Sequence, residues 1–241
     1  MKPNGKVYLV GAGVGDVDYL TVKAYRLLHK AEVLIYDALV DEQLLKLGPD
    51  NCLKIHVGKR GGLPSTPQSE INDLLVKYCQ QGKLVIRLKS GDPFIFGRCM
   101  QEIKVLQAAG CDFEVIPGIS SVTAAPLLAG IPLTDAVMSR CFAVFSAHQP
   151  DSLDWEALSR LDTLVILMGG QHLCEIIHQL IRYGKNKCTP VAIIRKAGSI
   201  EQQVWVGELS TIVEQIKAVR LSPALIVIGE VVRYASFSEK M

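Results

Sequence analysis

Long apolar runs are missing from this sequence. The longest mostly apolar stretch, Val122–Leu133, falls far short of the roughly 20 residues that a membrane-spanning helix needs. The opening MKPNGKVYLVG lacks the extended apolar core of a signal peptide, so the expectation is a soluble, cytoplasmic protein with no membrane partner. An excess of charge of either sign is missing too. With 26 basic against 24 acidic residues and a net charge of +2, nothing provides the basic footprint of a nucleic-acid binder. The seven cysteines, Cys52, Cys79, Cys99, Cys111, Cys141, Cys174 and Cys188, form no CxxC pair and accompany no histidine cluster. That pattern excludes a zinc site and a disulfide framework, and the cysteines read as reduced core thiols with no metal to hold. Repeats and low-complexity segments are absent, and 235–241 reads as a loose tail. What is present is core material: 49% hydrophobic residues over 241 positions, enough for one large or two small domains.

The apolar pattern alternates strands and helices. Strands are expected at 6–10, 33–36, 53–57, 84–88 and 113–116, with helices at 21–30, from Thr66-Pro67 onward, at 103–109 and at 122–129. Five such units imply a parallel sheet. A second set follows, with strands at 141–146, 164–168, 191–194, 202–206 and 223–229 and helices around 173–181 and 210–219. The expected organisation is an N-terminal α/β domain with a parallel sheet over 1–135 and a C-terminal α/β domain with a mixed sheet over 136–241.

Several loops carry chemistry-bearing residues, each with two readings. The stretch KLVIRLKSGDPFIFGR, 83–98, runs from a strand into a polar turn and then an apolar triplet. Asp92 is either the acid of a ligand loop at a strand end or a helix-capping residue. Gly11-Ala-Gly13-Val-Gly15-Asp16 follows the first strand, but a dinucleotide GxGxxG loop needs glycine where Asp16 stands. Asp37 ends the second strand, as a capping acid or as a carboxylate able to accept a proton. Gly58-Lys59-Arg60-Gly61-Gly62 is a solvated basic turn or a site for an anionic ligand. The hydroxyls of Ser120 and Ser121 cap the next helix, bind a cofactor, or do both. Met168 is core or pocket lining, and His148 reads as an ordinary packed or surface histidine.

GDPFIFGR resembles the hallmark of the tetrapyrrole methylases, and the resemblance extends to about Tyr234. VGAGxGDxDxLTxKA, YDALV, GKRGG, PGISS, GIPLT, the Ser146-Ala147-His148 position, Met168-Gly169 and PALIVIG are each similar to segments of that family. The chain departs from the pattern in four places. Val14 replaces proline, Ser90 replaces glycine, Cys99-Met100 replaces a glycine pair, and Asp135-Ala136 replaces a His-Arg pair.

The resemblance implies a two-domain tetrapyrrole methylase fold, that of the class III S-adenosylmethionine (SAM)-dependent methyltransferases, with the ligand cleft between the domains. It implies a homodimer that uses SAM, yields S-adenosylhomocysteine, and C-methylates uroporphyrinogen III on two rings to give precorrin-2 for sirohaem or cobalamin synthesis. A later corrinoid methyltransferase of the same fold and a noncatalytic SAM- or nucleotide-binding protein are the alternatives. Matching positions make Asp37 the expected proton acceptor and Lys59 the donor. They place Val14, Ser90, Gly91, Asp92, Ile95, Ser120, Ser121, Met168, Gly198 and Ala224 at the cofactor. The substrate's carboxylates fall to Arg60, Arg98 and Arg140, the last two expected to offset Asp135.

Overall fold

The computed structural model describes residues 5–58, 66–217 and 219–240, without the side chains of 236–240. It divides into two compact units, Met1–Ser120 and Ser121–Met241. The first unit is built on five strands: β1 (Lys6–Gly11), β2 (Val33–Tyr36), β3 (Leu53–His56), β4 (Leu84–Lys89) and β5 (Asp112–Ile116). They pair in the order β3-β2-β4-β1-β5, and every pairing is parallel. A parallel sheet is covered on both faces, so its strands carry apolar residues of both parities. Val7, Leu9, Val33, Ile35 and Val85 share a core with the helices α3 (Gln68–Gln80) and α4 (Cys99–Ala108). Val10, Leu34, Ile86 and Leu88 pack on the other face against α1 (Val22–Leu28) and α2 (Glu42–Leu45). Thr21 starts α1 by accepting the Ala24 N–H at 3.2 Å on its side-chain oxygen.

The second unit holds α5 (Ser121–Leu128), β6 (Phe142–Ser146), α6 (Trp155–Ser159), β7 (Thr163–Leu167), α7 (Leu173–Arg182), β8 (Pro190–Arg195), β9 (Gln203–Glu208), α8 (Ile212–Gln215) and β10 (Ala224–Ile228). Its sheet runs β6-β7-β10-β8-β9. Only β6 and β7 are parallel; the other three pairings are antiparallel. Trp155 and the α7 stripe Leu173, Ile176, Ile177 and Leu180 cover one face of the sheet. Val122, Ala125 and Ala129 of α5, with Val231 and Val232 near the C-terminus, cover the other. Residues 121–135, which the sequence pattern groups with the first sheet, therefore pack on the second.

The thiols split by unit. All seven cysteines are free; Cys52, Cys79, Cys99 and Cys111 are buried in the first unit, whereas Cys141, Cys174 and Cys188 are exposed in the second. The expectation of seven core thiols holds for four and is corrected for three. Two of the exposed ones flank strands and one lies on the outer side of α7, where no core stripe claims the position.

Three backbones meet at the carboxyl ends of β1, β4 and the segment after β5. A Cβ added to Gly118 would lie 2.2 Å from the Gly91 carbonyl oxygen and 2.6 Å from Gly11 Cα. These obstacles are backbone and cannot swing aside. Gly118→Ala should destabilise the protein by roughly 2–3 kcal/mol through overpacking. Thermal unfolding should show a Tm lower by roughly 5 °C or more; an unchanged Tm would contradict this contact.

Candidate active site at the strand ends

In open α/β sheets, ligands bind outside the carboxyl ends of the strands. There the loop after β1 and the loop after β4 are joined by a two-residue bridge. Gly13 donates its N–H to the Gly91 carbonyl at 3.2 Å, and Gly91 returns one to Gly13 at 2.9 Å. Val14 is buried beside this bridge. Asp92 extends the same knot. Its Oδ1 accepts the Phe94 N–H at 2.9 Å and its Oδ2 accepts the Gly118 N–H at 3.2 Å. Asp92 thus closes its own turn and ties the β4 loop to the β5 loop; it does not cap α4, which starts at Cys99 behind Arg98. Gly11, Val14, Ser90, Gly91 and Asp92 are one assembly.

Beyond Pro93 the chain exposes Phe94, Ile95 and Phe96 in succession. Phe96 and Arg98 have φ of 53° and 54°, a left-handed conformation that costs a non-glycine residue energy and tends to persist where a site over-determines it. Three neighbouring apolar side chains left in solvent on a strained loop form a surface suited to an apolar ligand face. Arg98, on the same loop, is exposed.

Asp37 follows β2. Its N–H donates to the Leu88 carbonyl at 3.2 Å, and its Oδ1 accepts from Arg87 Nη2 at 2.5 Å. Its Oδ2 has no partner among the described residues, and the side chain is 28% exposed, so one carboxylate oxygen is held and the other is open. Arg87 leads inward to a buried chain of charges. Its Nε donates to Glu102 Oε1 at 2.9 Å, and Lys89 Nζ donates to both Glu102 oxygens at 3.0 and 2.9 Å. Burial presses the Arg87 pKa down most strongly, yet Asp37 and Glu102 together outweigh it and the net shift is upward. Burial, with Glu102 adding to it, pushes the neighbouring Cys99 thiol up to about 11, so it stays protonated. Arg87, Lys89 and Glu102 were not singled out in the sequence. Their signal was there: two cations at i and i+2 of a strand otherwise fit for burial demand a buried counter-charge.

Lys59 and Arg60, the expected proton donor and one expected carboxylate partner, lie outside the described residues. The residue before them, Gly58, abuts Ala38: a Cβ on Gly58 would fall 2.0 Å from the Ala38 nitrogen, next to Asp37 in sequence.

In the second unit, Met168 follows β7 with φ of 57° and is exposed, and Gly198 lies beyond β8 with its N–H donated to Gln202 Oε1 at 2.9 Å. β10 runs antiparallel to both strands, so its first residue, Ala224, pairs with Arg195 while Leu225 pairs with Leu167. Met168, Gly198 and Ala224 therefore share one end of this sheet. Arg195 Nε is buried there without a hydrogen-bond partner among the described residues, a donor that fits a bound acceptor. Ser121 opens α5, and Ser120 precedes it at the end of the first unit. His148 is exposed.

Asp135 does something different from what the sequence pattern led one to expect. Its Oδ1 accepts the Val137 and Met138 N–H groups at 2.9 and 2.8 Å, and the Tyr234 hydroxyl donates to Oδ2 at 3.2 Å. The carboxylate is engaged in closing the 135–139 turn, not standing open as a charge for Arg140 to offset. Arg140 is exposed, with its backbone N–H given to Asp162. A cavity of about 400 Å³ lies along Thr134, Asp135, Ala136, Ser139 and Arg140. The Met138 N–H, then the Val137 N–H and the Tyr234 hydroxyl, hold the Asp135 carboxyl below its ordinary 3.8. A depressed acid stabilises the fold above its unfolded value and loses that contribution as pH falls through its folded value. Asp135→Ala should therefore lower Tm at neutral pH, with the gap to wild type closing as pH drops below 3.8. A gap that stays constant down to the acid limit would contradict the assignment.

Among the described residues no group of His, Cys, Asp and Glu is arranged to hold a metal ion, and no helix is long and apolar enough to cross a membrane.

A family model of the Tetrapyrrole (Corrin/Porphyrin) Methylases matches residues 6–213. A Synechococcus elongatus protein named uroporphyrinogen-III C-methyltransferase is 58% identical over 97% of this chain and 96% of its own length. A protein of the same name from Priestia megaterium is 41% identical over 96% of this chain and all of its own. Among solved structures, the uroporphyrin-III C-methyltransferase of Thermus thermophilus complexed with S-adenosylhomocysteine superposes with a TM-score of 0.82. It is 39% identical, over 95% of this chain and 99% of that one.

Proposed function

The chain belongs to the tetrapyrrole methylase family, and on that premise we propose that it transfers methyl groups from SAM to two rings of uroporphyrinogen III, giving precorrin-2 for sirohaem or cobalamin synthesis. The observation that carries this reading is the end-to-end match to proteins of that activity at 41–58% identity. SAM supplies a methyl group whose bond to sulfur breaks with its electrons left on sulfur, while a ring carbon forms the new bond and the alkylated ring then sheds one proton.

The chain must hold that carbon and the methyl group in line, exclude water and accept the proton. In our reading the Gly11–Asp16 and Ser90–Asp92 loops, joined by the Gly13–Gly91 bridge, form the cofactor site of the first unit together with Ile95 and Ser120. Ser121, Met168, Gly198 and Ala224 of the second unit are proposed as cofactor contacts on the family resemblance alone. In the first unit the exposed apolar triplet supports a ligand with an apolar face; in the second, Arg195 Nε, without a partner among the described residues, supports one with a polar edge. Asp37 is the proton acceptor in this reading: one oxygen is anchored on Arg87 and the other is open. Arg60, Arg98 and Arg140 are the proposed carboxylate partners. The near balance of charge supports an enzyme without a nucleic-acid partner; a cytoplasmic location without a membrane partner belongs to the same proposal. The family resemblance supports a homodimer.

Anaerobic incubation with SAM and uroporphyrinogen III should yield a tetrapyrrole heavier by two methyl groups, together with S-adenosylhomocysteine. Failure to methylate this substrate, with a later corrinoid precursor methylated instead, would overturn the reading. Asp37→Asn keeps the size of the side chain and removes the base; it should lower turnover by roughly 100-fold while calorimetry shows SAM affinity unchanged. Equal loss of both would make Asp37 a ligand contact instead.

A further inference from the structure

The buried charges behind Asp37 have a connectivity that bears on catalysis. The Arg87 guanidinium is committed on all three nitrogens: Nε to Glu102 Oε1 at 2.9 Å, Nη1 to the Leu88 carbonyl at 3.2 Å, and Nη2 to Asp37 Oδ1 at 2.5 Å. Left alone, a guanidinium and a carboxylate prefer two parallel hydrogen bonds, fork to fork. Arg87 and Glu102 make only one. The second oxygen of Glu102 is taken by Lys89, whose Nζ lies 2.9 Å from Oε2 and 3.0 Å from Oε1. Lys89 and Glu102 are fully buried, so no water competes for these places.

We propose that Lys89 is a positioning residue for Asp37, acting through Glu102 and Arg87. By sharing Glu102 it offsets the pull of that carboxylate on the guanidinium, so that Arg87 keeps an Nη2 N–H on the carboxylate at the strand end. Lys89 does not touch Asp37, and the inference rests on the reading of Asp37 as the proton acceptor.

Removing the ammonium frees Glu102 Oε2, and the guanidinium should swing onto Glu102 and away from Asp37. Lys89→Met should then lower kcat by roughly 10-fold or more, the scale of a misplaced catalytic group, with the KM for SAM nearly unchanged. Two comparisons separate this from a packing effect. The double variant Lys89→Met/Glu102→Gln offers Arg87 a single neutral acceptor and no fork, so kcat should recover towards wild type although a second buried group has changed. In an Asp37→Asn background Lys89→Met should cost nothing further, because its effect runs through Asp37.

The experiment is steady-state methyl transfer to uroporphyrinogen III by these variants, each first checked for a cooperative thermal transition. Should Lys89→Met fail to fold, Lys89→Leu, which likewise leaves no donor at Glu102 Oε2, is judged by the same criteria. A wild-type kcat for the lysine variant, no recovery in the double variant, or an equal loss in the Asp37→Asn background would overturn the inference. If Asp37→Asn alone turns over at the wild-type rate, the proton-acceptor reading falls and this inference with it. If Asp37→Asn is slow while Lys89→Met is normal, only this inference falls.

Discussion

The close approach of Gly11, Gly91 and Gly118 is the constraint on which the first unit's working end depends. Strands β1 and β4 are neighbours by hydrogen bonding, but their loops are drawn together by the absence of side chains at these three positions. With that space empty, the Gly13–Gly91 bridge closes and the Asp92 carboxylate reaches the Gly118 N–H. The apolar triplet 94–96 then has a fixed base from which to project. A turn of this kind is specified less by attraction than by what is left out of it.

The same strand that ends in this knot carries two cations into an apolar interior. Burying charge is costly, and a buried ion pair is commonly no more stabilising than well-packed apolar residues of the same volume. Losing one partner is another matter, costing about 3–5 kcal/mol because the other is left uncompensated. Arg87 and Lys89 share a face of β4, as residues two apart in a strand do, and that face looks towards α4, where Glu102 sits one turn in. The Lys89 side chain also lies under the loop: its Cε would be 3.2 Å from a Cβ on Gly97. The charges are therefore part of how the strand end is held, as well as part of what it presents.

The strand positions are legible in the apolar pattern, because strands covered on both faces write themselves as runs such as VYLV and LVI; their order and register are not. Helix bounds are less legible. α4 begins at Cys99, ahead of the first apolar stripe residue, since Arg98 takes a left-handed turn that composition does not announce. α8 spans only Ile212–Gln215, and the short α2 and α6 are not legible in the sequence because one turn gives no period. Asp92 and the glycines were legible as a loop, but not the carboxylate's reach to residue 118, a contact between segments distant in sequence. The surroundings of Asp135 are illegible for a similar reason: a charge that looks unwelcome in a motif is satisfied by two backbone N–H groups and a tyrosine from the far end of the chain.

The uneven placement of the thiols makes the protein its own reporter. In the native state an alkylating dye meets only Cys141, Cys174 and Cys188, so fluorescence attached this way belongs wholly to the second unit. Cys52, Cys79, Cys99 and Cys111 become reachable only when the first unit opens. The rate at which further label enters the chain is then a clock for that opening, readable by mass without any engineered probe.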